Sequence, residues 1–304
     1  MKLIQNTRQI RNFALALLLS ASVHQAAAQS YSLSPLWADA NGIGHLANNN
    51  QNRGIAYHAQ SNLVFVSTRA AATTGSIDVF NAATGALLSN GVAGANLGVD
   101  QVGVADDGVL YGAPLQTAVS ASAPFALYSW TNWNNAPYLA YQSTNAADPL
   151  IALSAAKRVG DSLAVTGAGV NTLILAAVAA TCTNFVLLHT QDGVNFASTL
   201  VSVAGLPTTA GSILGICFYT NNSFLVQPGS GAANRNVYLV SFPANFASQS
   251  NVTGTIIGSA PALSAGADEF LSYSAVGKCW PPWRRCHRAP LARRIYLARP
   301  ISPP

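Results

Sequence analysis

The most constraining feature of this 304-residue chain is a recurring group of four short apolar runs. Residues 53–57, 63–67, 76–80 and 86–88 form a first set. Residues 100–105, 109–113, 125–130 and 138–141 form a second, and 158–166, 172–177, 185–189 and 198–203 a third. A fourth is 212–219, 224–227, 236–242 and 252–257, and a fifth begins at 269–276. Apolar residues alternate or run continuously within each segment, and Gly, Asn, Asp and Pro stand between segments. That is the pattern of strands and turns. The sets start at 53, 100, 158, 212 and 269, in steps of 47, 58, 54 and 57 residues. Four strands per step of this length is the spacing of a β-propeller blade. One blade cannot bury both of its apolar faces, whereas blades stacked about an axis bury one another. The expected fold is therefore all-β: a β-propeller of four-stranded blades, four complete and a fifth incomplete or closed by the N-terminal strand at 31–37.

The turns agree with this spacing. Asp106-Asp107-Gly108 separates two runs of the second set as a hairpin turn would. Residues 81–85 link the outer two runs of the first set, and residues 190–196 do so in the third. The latter resembles a degenerate Asp-box, one residue short and ending in Phe196. Such a turn stabilises the fold.

Half of the residues are hydrophobic and only 8% are charged, which excludes a disordered chain. The formal charge of +5 is concentrated at the ends. Three basic residues lie before residue 12 and seven follow residue 277, which leaves five basic against ten acidic residues in 29–277, a net of −5. A nucleic-acid binder carries a basic stripe on its folded body. This body has the opposite sign, so no nucleic-acid partner is expected.

Residues 1–28 read as a signal peptide. Lys2, Arg8 and Arg11 precede an apolar run from Phe13, and Ala26-Ala27-Ala28 offers a small-residue cleavage site. The run is about 11 residues, too short for a span of roughly 20. The expected domains are the signal peptide (1–28), a propeller domain (29–277) and a basic Pro/Arg/Trp-rich tail (278–304), in a secreted, periplasmic or cell-surface protein. The apolar stretch 173–189 is interrupted by Thr181, Thr183 and Asn184 and reads as two strands, so no transmembrane segment is expected after cleavage. Export makes disulfides permissible. Cys182 and Cys217 either pair or are buried thiols, with burial favoured. Cys279 and Cys286 lack a zinc spacing. The tail has three readings: a surface-binding extension, a disordered extension, or a shifted reading frame.

Several segments resemble a bacterial family of exported β-propeller-like proteins of unknown function. They are residues 31–37, Arg53-Gly54-Ile55-Ala56-Tyr57, Val102 to Gly108, Arg158-Val159-Gly160-Asp161 and Gly167 to Thr172. The likeness covers roughly 31–277 and implies fold and export. The family has no assigned activity, so the likeness implies nothing about catalysis.

No catalytic residue stands out. There is no G-x-S-x-G elbow, and His45, His58 and His189 have no sequence neighbours that mark a triad. No metal-ligand spacing, phosphate loop or dinucleotide fingerprint occurs, so no metal or cofactor is expected. Two constellations remain. Arg53, Arg158 and Asp161 fall at the innermost strands of their sets, with Asp268 and Glu269 at the corresponding place in the fifth. In a charge-poor body these residues form either a polar ligand site at the channel mouth or structural ion pairs between blades. Trp130 and Trp133, with Tyr128, Tyr138 and Tyr141, lie among Asn and Thr as a sugar-stacking surface would. The alternative for Trp130 is packing between blades. The favoured function is a binding or scaffolding protein for a glycan or protein ligand. The alternatives are an extracytoplasmic propeller enzyme of lyase or glycoside hydrolase type, and a structural or decayed copy. The sequence leaves oligomeric state and ligand identity open.

Overall fold

A computed structural model describes residues 33–38, 42–46, 51–69, 76–95, 97–153, 158–179, 183–207, 215–227, 235–245, 249–260 and 296–300. Residues 1–28, read above as a signal peptide, the fifth set at 269–276 and most of the tail lie outside the described residues. In chain order the strands are β1 (Leu33–Ala38), β2 (Asn52–His58), β3 (Leu63–Thr68), β4 (Ser76–Asn81), β5 (Leu87–Ser89), β6 (Val99–Val104), β7 (Leu110–Pro114), β8 (Ala126–Trp130) and β9 (Tyr138–Gln142). They continue as β10 (Arg158–Thr166), β11 (Leu173–Ala179), β12 (Asn184–Thr190), β13 (Phe196–Ala204), β14 (Gly215–Thr220) and β15 (Ser223–Gln227). The last four are β16 (Arg235–Ser241), β17 (Gln249–Thr253), β18 (Thr255–Ala260) and β19 (Tyr296–Pro300). A short helix, α1 (Pro149–Ala152), follows β9.

The protein is a β-propeller of four blades. Blade 1 is β2-β3-β4-β5, blade 2 is β6-β7-β8-β9, and blade 4 is β14-β15-β16-β18. Blade 3 is β10-β11-β12-β13 with β17 added in parallel at its edge. Contact between innermost strands passes from β2 to β6, then to β10 and then to β14. The chain divides into two compact units, residues 37–297, which hold every blade, and residues 1–36 with 298–304. The N-terminal strand pairs with β19 in a two-stranded sheet and belongs to no blade. The outermost strand of blade 4 is instead β18.

The run expected at 252–257 is two strands, not one. Gly254 interrupts it, and the halves serve different sheets. β17 pairs with β13 of blade 3 and β18 with β16 of blade 4, so one stretch of chain closes the edges of both.

Three apolar layers lie between consecutive blades, as alternation of side chains on each strand requires. Phe65, Val79, Val99, Leu110 and Trp130 join blades 1 and 2. Tyr111, Leu127, Ile174, Val186 and Leu188 join blades 2 and 3. Leu187, Phe185, Phe224 and Val240 join blades 3 and 4. The remaining face of blade 1 is covered by Trp37, Ile43 and Leu46 over Val64, Val66 and Phe80. Trp37 stacks on Phe80 and donates its indole N–H to the Ala82 carbonyl at 2.7 Å.

The innermost strands approach one another closely at glycine. A Cβ at Gly54 would lie 2.6 Å from Ser67 Oγ, 2.7 Å from Val102 N and 2.9 Å from Gln101 Cα. Two of these are backbone atoms of β6, which cannot yield as a side chain would. Gly54→Ala is expected to destabilise the protein by about 1–3 kcal/mol, as overpacking does. Urea denaturation checks this, and an unchanged midpoint would show that β2 and β6 can part without cost.

One end of the innermost strands is locked by its turns. Gln60, beside the β2–β3 turn, donates to the Asp106 carbonyl at 3.2 Å. Asp106 and Asp107 in turn accept from the backbone N–H groups of Gly167 and Gly169, at 3.0 and 2.7 Å. Successive blades are thus hooked turn to turn.

Candidate functional site

At the opposite end, the first residues of β2, β6 and β10 depart from regular pairing at the same level. Register shifts fall between Asn52 and Gly54, between Val99 and Gln101, and between Val159 and Leu163. The residues left out of register are Arg53, Asp100 and the Gly160-Asp161-Ser162 run. A bulge re-aims a side chain that regular alternation would send to a blade face. Here three bulges bring charged groups of three blades together. Gly160 adopts φ +106°, which only glycine accepts readily, and a Cβ there would collide with the Pro114 carbonyl oxygen.

The charges are unequal in their pairing. Arg158 grips Asp161 through Nε and Nη2, the latter at 2.7 Å from Oδ1. This hydrogen bonding holds the guanidinium above its ordinary pKa. Arg69, just past β3, stands 3.3 Å from Asp100 Oδ1. Among the described residues, no carboxylate lies within ion-pair distance of Arg53. Gln101 ties the three strands together: its side-chain N–H₂ donates to the Arg53 carbonyl at 3.2 Å and to the Asp161 carbonyl at 2.9 Å. Ser67 Oγ supports the same level from β3. It donates to the Asp100 carbonyl at 2.7 Å and accepts from Gly54 N–H at 2.8 Å.

Asp100 is the most deeply placed of these groups, 1% exposed. Burial pushes its carboxyl up from 3.8 to about 6, against the lowering influence of Arg69 and Arg53. Each bulge also holds one buried polar atom without a hydrogen-bond partner: Arg53 Nε on β2, Asp100 Oδ1 on β6 and Ser162 Oγ on β10. Buried polar atoms are ordinarily satisfied, and exceptions concentrate where a ligand or water completes the set. With both carboxylates ionised, three guanidinium groups face two negative charges. Counted over the described residues, the cluster is net positive in a body that is otherwise net negative.

Arg53, Arg158 and Asp161 thus lie on adjacent inner strands at one level. Asp268 and Glu269 lie outside the described residues. Asp100, Arg69 and Gln101 were missed in the sequence. Asp100 opens the second set as Arg53 opens the first and Arg158 the third, a signal that was present and unused.

The aromatic constellation is dispersed. Trp130 is 1% exposed between blades 1 and 2, and its indole N–H donates to the Ala93 carbonyl at 2.8 Å. It is a packing residue with no face for a sugar. Trp133 is half-buried against the same layer. Tyr141 is buried and donates its hydroxyl to Asp148 at 2.6 Å. Tyr138 remains exposed.

The histidines and cysteines have local explanations. His45 bonds the buried Asp78 through both its backbone N–H and Nδ1, at 2.7 Å each, which pins residues 42–46 to blade 1. His58 Nδ1 accepts from the backbone N–H of Ser61 in its own turn at 3.1 Å. Burial lowers the pKa of His189. Cys217 is a free thiol that burial pushes up to about 12, which removes thiolate reactivity near neutrality. Cys182 lies outside the described residues. Asp192 of the Asp-box-like turn accepts from Val194 N, Asn195 N and Asn195 Nδ2, and is the organising residue of that turn. Among the described residues, no three His, Cys, Asp or Glu side chains converge as a metal site, and no helix is long and apolar enough to cross a membrane.

No family model matches the chain, and no curated protein does. Among solved structures it is similar to a DUF4623 family protein from Bacteroides eggerthii, at 14% identity and a TM-score of 0.47, over 73% of this chain and 51% of that one. It is also similar to Raptor from Chaetomium thermophilum, at 14% identity and a TM-score of 0.37, over 70% of this chain and 17% of that one. A third likeness is to a gluconolactonase from Xanthomonas campestris, at 12% identity and a TM-score of 0.36, over 84% of this chain and 88% of that one. The chain spans about half the length of the Bacteroides eggerthii protein.

Proposed function

We propose that this chain is an exported binding propeller that takes an anionic ligand, a carboxylate-bearing glycan above all, at the charged end of its inner strands. The observation that carries this reading is the Arg53 guanidinium, whose Nε is buried without a hydrogen-bond partner and which, among the described residues, has no carboxylate within ion-pair distance. A purely structural ion-pair network would be expected to satisfy its members, since an unpaired buried polar group costs about 1–3 kcal/mol. An arginine fork offers a carboxylate two parallel hydrogen bonds, which a hydroxyl cannot match. The apolar N-terminal run and the small-residue site after it support export.

Titration calorimetry with oligogalacturonate and a neutral oligosaccharide of equal length tests the proposal. Arg53→Ala is the informative variant, because among the described residues Arg53 has no carboxylate partner to strand. The expected result is binding of the acidic probe alone, weakened about tenfold or more in Arg53→Ala, with an unchanged melting temperature. Equal affinity of wild type and variant for the acidic probe overturns the site.

A second reading, an enzyme using acid–base chemistry, draws on the Asp100 carboxyl held near 6, since such displaced values collect at reactive sites. The depth of Asp100 counts against it, because a general acid must touch its substrate.

A further inference from the structure

We infer a second ligand site, distinct from the charged end: the groove between the outer strands of blades 2 and 3, shaped for a neutral saccharide. The groove has a volume of about 490 Å³ and runs between residues 139–142 of β9 and 195–198 at the start of β13, with the 145–149 loop as its floor. That size is within the range of roughly 300–1,000 Å³ in which small-ligand sites fall.

Its chemistry follows from how the polar side chains are already committed. Asp148 is the one charged residue lining it, and its carboxylate is fully engaged. Oδ1 accepts from Leu150 N at 2.8 Å, and Oδ2 accepts from the Tyr141 hydroxyl at 2.6 Å and the Ser198 hydroxyl at 2.9 Å. Those two hydroxyls have spent their protons on Asp148, so toward the groove they present acceptor lone pairs. Asn145 is the complement. Its Oδ1 is used by Ala147 N at 2.9 Å, which leaves its N–H₂ to donate. Gln142 is exposed at the wall and supplies both a donor and an acceptor. Between these groups lie the apolar surfaces of Leu139, 42% exposed, and Phe196.

A lining that combines hydroxyls already committed as donors, amides that can donate, and the apolar surface of Leu139 suits a sugar ring, whose hydroxyls both donate and accept and whose C–H faces are apolar. Among the described residues, no lysine or arginine lines the groove, and its one carboxylate is negative. Phosphates and sugar acids are therefore disfavoured, opposite to the preference of the charged end. The two sites should partition a mixture of glycans by charge. An added peptide strand on β9 is the competing occupant. The groove favours the sugar because its uncommitted polar groups, the Gln142 amide and the Asn145 N–H₂, are side chains and not one strand's backbone.

The test uses the whole protein and neutral hexasaccharides of the xylo, cello, malto and manno series. Affinity is read by calorimetry and location by hydrogen–deuterium exchange. The expected result is that at least one series binds and slows exchange in residues 139–148 and 195–198. Gln142→Ala and Leu139→Asp, both at exposed positions, should each weaken that binding about tenfold or more while Arg53→Ala leaves it unchanged. Far-UV circular dichroism and melting temperature establish that the variants are folded. If none of the four series binds, if protection falls elsewhere, or if the groove variants bind as wild type does, the inference is wrong. Since Arg53→Ala and the acidic probe report only on the charged end, failure here leaves the proposal for that site standing.

Discussion

Trp130→Ala should remove about 3–5 kcal/mol of stability, the range for deleting a large buried aromatic. The indole fills the layer between blades 1 and 2 against Leu110 and Val99, and its N–H satisfies a carbonyl in the loop after β5. Alanine leaves both a cavity and an orphaned acceptor. Trp130→Phe should cost less, because the ring keeps most of the volume and only the hydrogen bond is lost, about 1 kcal/mol. Total stabilities of domains are about 5–15 kcal/mol, so the alanine variant should have a urea midpoint reduced by about a fifth or more. A loss below about 1 kcal/mol would mean that the blades pack loosely there and that the layer is not a close-fitting core.

The second large effect concerns pH. The Asp100 carboxyl titrates near 3.8 when unfolded and near 6 when folded, so the folded protein holds this proton more tightly. Its stabilising contribution is complete below about pH 3.8 and is lost as pH rises through about 6. The loss amounts to roughly 3 kcal/mol by linkage. Asp100→Asn should flatten that part of the stability profile, so the difference in unfolding free energy between variant and wild type should change most between pH 4 and 7. Ligand affinity should move with it. Protonation removes one negative charge from beside Arg53, Arg69 and Arg158, and an acidic oligosaccharide should bind about tenfold more tightly at pH 5 than at pH 7. The asparagine variant should bind with little pH dependence across that range. A wild-type affinity that is flat from pH 5 to 7, or a slope that survives in Asp100→Asn, would separate Asp100 from the ligand.

How the sequence foretold this molecule depends on the residue asked about. Strand positions were legible, because apolar alternation and turn residues act locally: β3, β12 and β15 fall within a residue or so of the expected runs. The bulges were not. An out-of-register residue is defined by its partner strand, and nothing in Arg53 or Asp100 alone announces that it has slipped. For that reason Arg53, Arg158 and Asp161 were found as charged residues out of place, while Asp100 read as an ordinary strand start. Gln101 escaped for a different reason. Its importance lies in reaching two carbonyls on neighbouring strands, one 48 and one 60 residues away. Arg69 follows a strand and reads as a loop cation. The break at Gly254 was visible, since a lone glycine in a strand run often marks a bend or bulge, but which sheet each half would join was not. The aromatic cluster misled because strand alternation sends Trp130 inward, and that outweighs its sequence proximity to Trp133.

Scarcity of acid makes the placement of each one informative. Asp78, Asp106, Asp107, Asp148 and Asp192 all accept at least one backbone N–H. They hold a leading segment, two turn hooks, a helix start and an Asp-box-like turn. Asp161 has its arginine. Asp100 alone of these is buried with an oxygen that has no hydrogen-bond partner, its Arg69 ion pair standing at 3.3 Å, and that sets it apart from the others within one chain.

The strand that divides at Gly254 ties the fates of two blades. Because β17 borders β13 and β18 borders β16, drawing residues 249–260 away would uncover the rims of both blades in one event. Amide protons on β13 at Val201 and Val203 and on β16 at Leu239 should consequently share a common opening free energy, although they belong to separate sheets. Fraying from the C-terminal side would then release the latter half of the ring as a single cooperative unit, and leave the turn-hooked first three inner strands to come apart on their own terms.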